Sequence, residues 1–186
     1  AFDLLWYVPH DDNITVNPDA NFGDTVSMRK SFSDKNGIFV ALHGGKHYSR
    51  AQFLNHGFLD HGTFVLDALG ERWIEAFGSD SYGLANYMDR TNGGGRWNYY
   101  RCRAEGSNTL VINPSENVAM DQVWGVNTTL SATGLNGTSP SASVNLTPAY
   151  KNATSIIRTL KLTNNPARIR ISPYPISPKQ NPKKSI

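Results

Sequence analysis

Chemistry-bearing side chains crowd into one stretch of the chain, Asn55-His56-Gly57-Phe58-Leu59-Asp60-His61-Gly62-Thr63-Phe64. A histidine or carboxylate where a polar segment enters a strand can transfer a proton or hold a metal. The plainer alternative is a loop in which these groups only satisfy the backbone around them. His43 and His47 flank Gly44-Gly45 and suit an ordinary loop. Asn92-Gly93-Gly94-Gly95 is a flexible loop rather than a phosphate cradle, because no Lys-Ser/Thr pair or helical pattern follows it. The single cysteine, Cys102, excludes an internal disulfide framework and a multi-cysteine zinc cluster. It alternates with Arg101 and Arg103 and suits burial better than reactivity.

Such groups need strands to position them, and the pattern supplies strands. From Asp24 the chain runs with period two, with Val26 and Met28 on one face and Thr25, Ser27 and Arg29 on the other. Gly37–Leu42 is a buried-strand run. Thr63–Leu69 is a second, and Gly70-Glu71 is a two-residue hairpin turn into Arg72–Phe77. Further strands are expected at Arg96–Arg103, Asn108–Ile112, Val123–Val126, Ser143–Leu146, Ser155–Leu162 and Arg168–Ile171, with Ser131–Ser143 as a loop. Eight to ten short strands separated by turn signals predict an all-β chain, an antiparallel β-sandwich spanning 24–172. Residues 2–8 form a short apolar stub closed by Pro9, expected to be the last turn of a helix. Residues 173–186 are rich in proline and lysine and are expected to be an extended or disordered tail.

Composition narrows the function classes. With 186 residues and 39% hydrophobic content the chain can bury a core, and no apolar run reaches the roughly 18–20 residues of a membrane span. The net charge of +3 hides a split, because all 15 acids lie at or before Asp121. Residues 122–186 carry eight Lys/Arg and no acid. Only Lys183-Lys184 are adjacent among them, and no recognition motif accompanies them, so no nucleic-acid partner is expected. The first residue is Ala, with no signal segment after it, and the expectation is a mature product or an excised piece.

Asn55-His56-Gly57-x-Leu59-Asp60-x-Gly62-Thr63-Phe64-Val65-Leu66 followed by Gly70-Glu71-Arg72-Trp73 resembles the heparinase II/III-like polysaccharide lyases. The resemblance continues through Arg96-Trp97-x-Tyr99-Tyr100-Arg101 and Arg103-Ala104-Glu105-Gly106-x-Asn108-Thr109-Leu110-Val111-Ile112-Asn113. It also takes in Asp3–Tyr7, Met28-Arg29 and Leu146-Thr147-Pro148-Ala149-Tyr150, covering about residues 1–165. It implies the C-terminal β-sandwich of an exported, secreted or periplasmic, lyase, with residues 1–9 the end of an α/α toroid that lies otherwise outside this chain. The implied partner is a uronate-containing, anionic polysaccharide, cleaved by β-elimination. In that reaction the carboxylate is neutralised, a Tyr or His takes the C5 proton, and an acid protonates the leaving O4.

The resemblance makes His56 the sandwich's catalytic candidate. Tyr100, Arg101 and Arg103 are the expected substrate contacts, since Arg forks carboxylates and sulfates and Tyr rings pack on pyranose faces. The family's structural zinc falls on Phe58, Glu75 and Ser107 here. Only Glu75 keeps a good ligand, so no cofactor is expected. Strand parity places Phe58 and Asp60 on one face and His61 on the other, which opposes His61 as a substitute ligand. The alternative function is a non-catalytic polysaccharide-binding or structural module derived from the same sandwich. Five Asn-x-Ser/Thr sequons, at Asn13, Asn127, Asn136, Asn145 and Asn152, would carry glycans in a eukaryotic secreted protein.

Overall fold

The computed structural model describes residues 20–21, 24–31, 33–45, 57–112, 122–151, 153–164, 167–172 and 177–178. The stub at 1–9, His47, His56, Asn13, Asn152 and most of the tail lie outside the described residues. No helix among the described residues is long and apolar enough to cross a membrane.

The chain is an all-β sandwich. Strands β1 (Ala20–Asn21), β2 (Thr25–Arg29), β3 (Phe39–His43), β4 (Phe64–Ala68) and β5 (Glu71–Ile74) form an antiparallel sheet in sequence order. Strands β6 (Thr129–Thr133), β7 (Ser141–Asn145), β9 (Ile157–Asn164) and β10 (Ala167–Ser172) form the second sheet, in the order β10-β9-β7-β6. Between β7 and β9 the chain turns at Thr147–Ala149, and the short β8 (Ala153–Ser155) pairs with β11 (Ser177–Pro178).

Period two builds the core directly. In the first sheet, register aligns Val26, Leu42 and Phe64 in one row and Met28, Val40, Leu66 and Ile74 in the next. In the second sheet Ala132, Ala142, Leu160 and Ile171 form one row, and Leu130, Val144 and Arg158 another. The inward sides of these rows merge into one aliphatic core with Leu146, Ile156 and Leu162. Each fully buried Val, Leu or Met is worth roughly 1.5–3 kcal/mol of transfer free energy, so closure of the two layers is strongly favoured.

The strands expected at Arg96–Arg103, Asn108–Ile112 and Val123–Val126 do not form. The first is a run of three-ten turns, Gly95–Asn98, Tyr100–Cys102 and Ala104–Gly106. Arg96 and Trp97 are both fully buried, and the backbone bonds locally rather than to a partner strand, with Trp97 N–H donating to Gly94 C=O and Tyr99 N–H to Arg96 C=O. Asp89 starts the run. Its carboxylate accepts Thr91 N–H, the Thr91 hydroxyl and Gly95 N–H, and these donors hold its pKa below the usual carboxylate value.

At 108–112 a side chain replaces the ladder, for the Asn108 amide accepts from Phe64 N–H at 2.9 Å and donates to Phe64 C=O at 2.7 Å. Leu110 and Ile112 then pack on the sandwich core while Val111 faces a second cluster. Residues 124–125 form a turn. The loop expected over Ser131–Ser143 shrinks to 134–140, because β6 and β7 use its ends. The hairpin turn is Leu69-Gly70, one residue earlier than expected, with φ of 58° and 81° and Ala68 paired to Glu71. Two successive positive φ values match the right-handed twist of the strands it joins.

Candidate functional site

The second cluster stands outside the sandwich core. It contains Leu59, Tyr87, Trp97, Cys102 and Ala104, with Phe58, Tyr99, Val111 and Trp124 packed around them. Arg96 lies at its centre, fully buried. Its Nε donates to Gly57 C=O at 3.1 Å and its Nη1 to Tyr87 C=O at 3.0 Å. The guanidinium carbon sits 4.3 Å from the Tyr87 ring centroid and 5.5 Å from that of Phe58. Aromatic faces and carbonyl dipoles thus stabilise a cation that water cannot reach. Gly57 follows His56 in the sequence, so Arg96 anchors the described edge of the His56 segment.

Burial alternates through the strandless stretch 58–61, with Leu59 and His61 fully buried and Phe58 and Asp60 half-buried. His61 is a structural hub. Its Nε2 lies 3.2 Å from Val126 C=O, and its Nδ1 lies 3.3 Å from the Thr128 hydroxyl. A carbonyl can only accept, so Nε2 carries the proton. The Gln122 side chain accepts from His61 N–H and donates to His61 C=O and to the Tyr150 hydroxyl, which in turn donates to Leu110 C=O. His43 stacks on His61 with ring centroids 6.0 Å apart, and its Nε2 is 3.6 Å from Asp60. Both ring nitrogens of His61 are therefore committed to protein groups.

Between the β5 edge and the three-ten turns lies an open pocket of about 380 Å³, lined by Trp73, Glu75, Phe77, Tyr100, Glu105 and Ser107, among others. The fold thus brings three positions singled out in the sequence, Glu75, Tyr100 and Ser107, to one pocket. Tyr100 is 57% exposed. Arg101 is exposed but braced, with Nε 3.3 Å from Asp80 and Nη1 donating to Phe77 C=O at 3.0 Å. Arg103 is buried, and its Nη2 lies 3.1 Å from Glu105. Neither arginine is presented to the pocket as an uncommitted cation.

Of the three zinc positions implied by the resemblance, the structure brings two together. Glu75 and Ser107 line the same pocket, while Phe58 packs against Arg96 in the second cluster and its phenyl ring has no donor atom. Among the described residues no three His, Cys, Asp or Glu side chains form a metal-holding group.

Several contributors escape the sequence reading. Arg96 and Arg158 are both buried cations, and Arg158 donates to Gly62 C=O at 2.6 Å and Asn108 C=O at 2.5 Å beneath the Phe64 ring. Arg158 shares parity with Ile156, Leu160 and Leu162, a signal the sequence did carry. Trp73, on β5 as expected, and Phe77, beyond its end, are exposed and line the pocket, a role the sequence reading did not give them. Sequon residues Asn127, Asn136 and Asn145 are exposed.

No protein-family model matches this chain, and no curated protein matches it significantly.

Proposed function

We propose that this chain is the sandwich portion of an exported polysaccharide lyase of heparinase II/III type, acting on a uronate-containing polymer. The observation that supports this reading is convergence. Segments 57–75 and 96–108, which carry the resemblance, fold against one another, with Glu75, Tyr100 and Ser107 lining one pocket and Arg96 bonded to Gly57. In this reading the toroid supplies the other half of the active site. His56 serves as acid/base or as partner to the uronate carboxylate, and Tyr100 offers its ring to the sugar. Neutral imidazole near pH 7 can accept the C5 proton or, once protonated, return one to O4. No water is consumed and the product is unsaturated.

The test is made on the parent protein with its toroid intact, incubated with alginate, heparin and hyaluronate while ultraviolet absorbance of the unsaturated product is followed. Turnover is expected, reduced at least about 100-fold by His56→Ala, the lower end of general acid–base contributions. Absence of unsaturated product from all uronate polymers would sink the reading. It would favour the second one, a non-catalytic polysaccharide-binding module. That second reading draws on a specific observation: Arg101 and Arg103 are engaged by Asp80 and Glu105 rather than turned to the pocket.

A further inference from the structure

Large exposed rings are costly to leave in water, yet three of them meet at one place. Trp73 is 63% exposed, Phe77 59% and Tyr100 57%, and all three line the 380 Å³ pocket. They are held in place. The Trp73 indole N–H donates to Ala68 C=O at 2.8 Å. The Phe77 and Tyr100 centroids lie 6.2 Å apart with planes tilted by 46°. Arg101 holds the Phe77 carbonyl at 3.0 Å while pairing with Asp80, so the segment beyond β5 is fixed against the three-ten run. This is a preorganised shelf, and preorganisation lowers the entropy cost of binding.

The charged groups beside the rings are carboxylates, which accept hydrogen bonds. Glu75 and Glu105 both line the pocket, and Arg103 pairs with Glu105 from a buried position. A pyranose offers what such a site lacks: an apolar C–H face for the rings and a rim of hydroxyl donors for the carboxylates. A uronate would bring a like charge beside Glu75 and Glu105, which is unfavourable at short range. The volume falls in the range of small-ligand pockets, about 300–1,000 Å³.

We propose that the pocket between β5 and the three-ten turns is a subsite for a neutral pyranose of a glycan, stacked on Trp73, Phe77 and Tyr100 with its hydroxyls donating to Glu75. This rests on the carbohydrate-handling reading above but not on β-elimination. Arg101 becomes a positioning residue of the shelf rather than a contact to a uronate.

The full chain is titrated with neutral oligosaccharides of glucose, mannose and N-acetylglucosamine, and separately with oligouronates. Binding is followed by calorimetry and tryptophan fluorescence, and oligomeric state by sedimentation. A neutral oligosaccharide is expected to bind, with affinity falling about tenfold in Trp73→Ala and in Tyr100→Ala, the scale of one stacked ring. Glu75→Gln is expected to weaken the neutral ligand and to improve oligouronate binding. All three side chains are exposed, so the far-ultraviolet circular dichroism of each variant should match the parent chain. The proposal is overturned if no neutral sugar binds, if oligouronates bind more tightly than neutral sugars and lose that binding in Trp73→Ala, or if the Trp73 and Tyr100 variants bind unchanged. It is overturned equally if a dimer of this chain buries Trp73, since the shelf would then serve a second copy. Elimination by the parent without neutral-sugar binding here leaves the lyase reading standing, and the reverse result leaves the subsite standing.

Discussion

The sandwich core and the Arg96 cluster both bury large side chains completely, but only the first has a hydrogen-bonded ladder behind it. In the sandwich, β2 bonds to β3 in one sheet and β7 to β9 in the other, and the side chains need only be apolar and alternate. In the cluster the backbone runs through turns, and side-chain donors take over the work. Arg96 serves the carbonyls of Gly57 and Tyr87, Trp97 that of Thr91 and Tyr99 that of Ala85. Irregular backbone can be packed tightly when long donors reach its carbonyls. The cost is that each donor becomes indispensable.

That difference can be broken most forcefully at Arg96. Arg96→Ala removes two hydrogen bonds to carbonyls and leaves a cavity, for an expected loss of about 4 kcal/mol. The cluster should open while the sheets persist. Burial raises the Cys102 thiol pKa and shields the group, so thiol-reagent labelling should accelerate sharply with little change in circular dichroism. Simultaneous loss of both signals would show that the two clusters are one cooperative unit. Leu160→Ala attacks the other side and should cost about 3 kcal/mol, read as a lower urea midpoint. Because the sandwich carries the ladder, sheet signal and Cys102 protection should then vanish together.

Gly106→Ala probes the turns more gently. A Cβ there would lie 2.2 Å from the Tyr100 carbonyl oxygen, too close for any side chain. The run must shift, at an expected cost of about 2 kcal/mol, and the Tyr100 ring should move from its place beside Phe77. Ala at Gly106 with unchanged stability would show that the three-ten run is not tightly set.

The smallest effect is electrostatic and separates the regions by pH. Hydrogen bonding from Arg72 lowers the Asp67 pKa below 3.8, and bonds from Thr91 and Gly95 do the same for Asp89. A lowered folded pKa gives stability that is complete above the ordinary carboxylate pKa and is lost as pH falls through the lowered value. Unfolding measured below about pH 4 should therefore show both contributions fading. Asp89→Asn should remove the part belonging to the three-ten run, and Asp67→Asn the part belonging to the hairpin.

The sandwich was legible because period two and turn residues act locally. Val26, Met28, Val40 and Leu42 announce an inward face without reference to anything distant. The stretch 96–112 was not legible in that way. Its shape depends on Asp89 gathering Gly95, on Asn108 bonding to Phe64 across 44 residues, and on a buried arginine that composition would place outside. The parity of Leu59 and His61 was readable, but the partners of His61 were not, since Val126 and Thr128 lie more than 60 residues away. The shelf was missed for a simpler reason. β5 ends at Ile74 rather than Phe77, and the three residues released let Phe77 turn toward Tyr100.

Arg158 also has a consequence for the order in which the molecule can be made. Its Nη1 joins the carbonyls of Gly62 and Asn108, 96 and 50 residues earlier, and the second layer is supplied wholly by residues 129–172. During synthesis from the N-terminus, the apolar face of the first sheet has no cover until β7 and β9 emerge. Contacts of such long separation fold slowly and leave sticky surface exposed in the interval. A nascent chain halted near residue 150 should therefore be bound by chaperones that hold apolar segments, and one carried past residue 172 should be released from them.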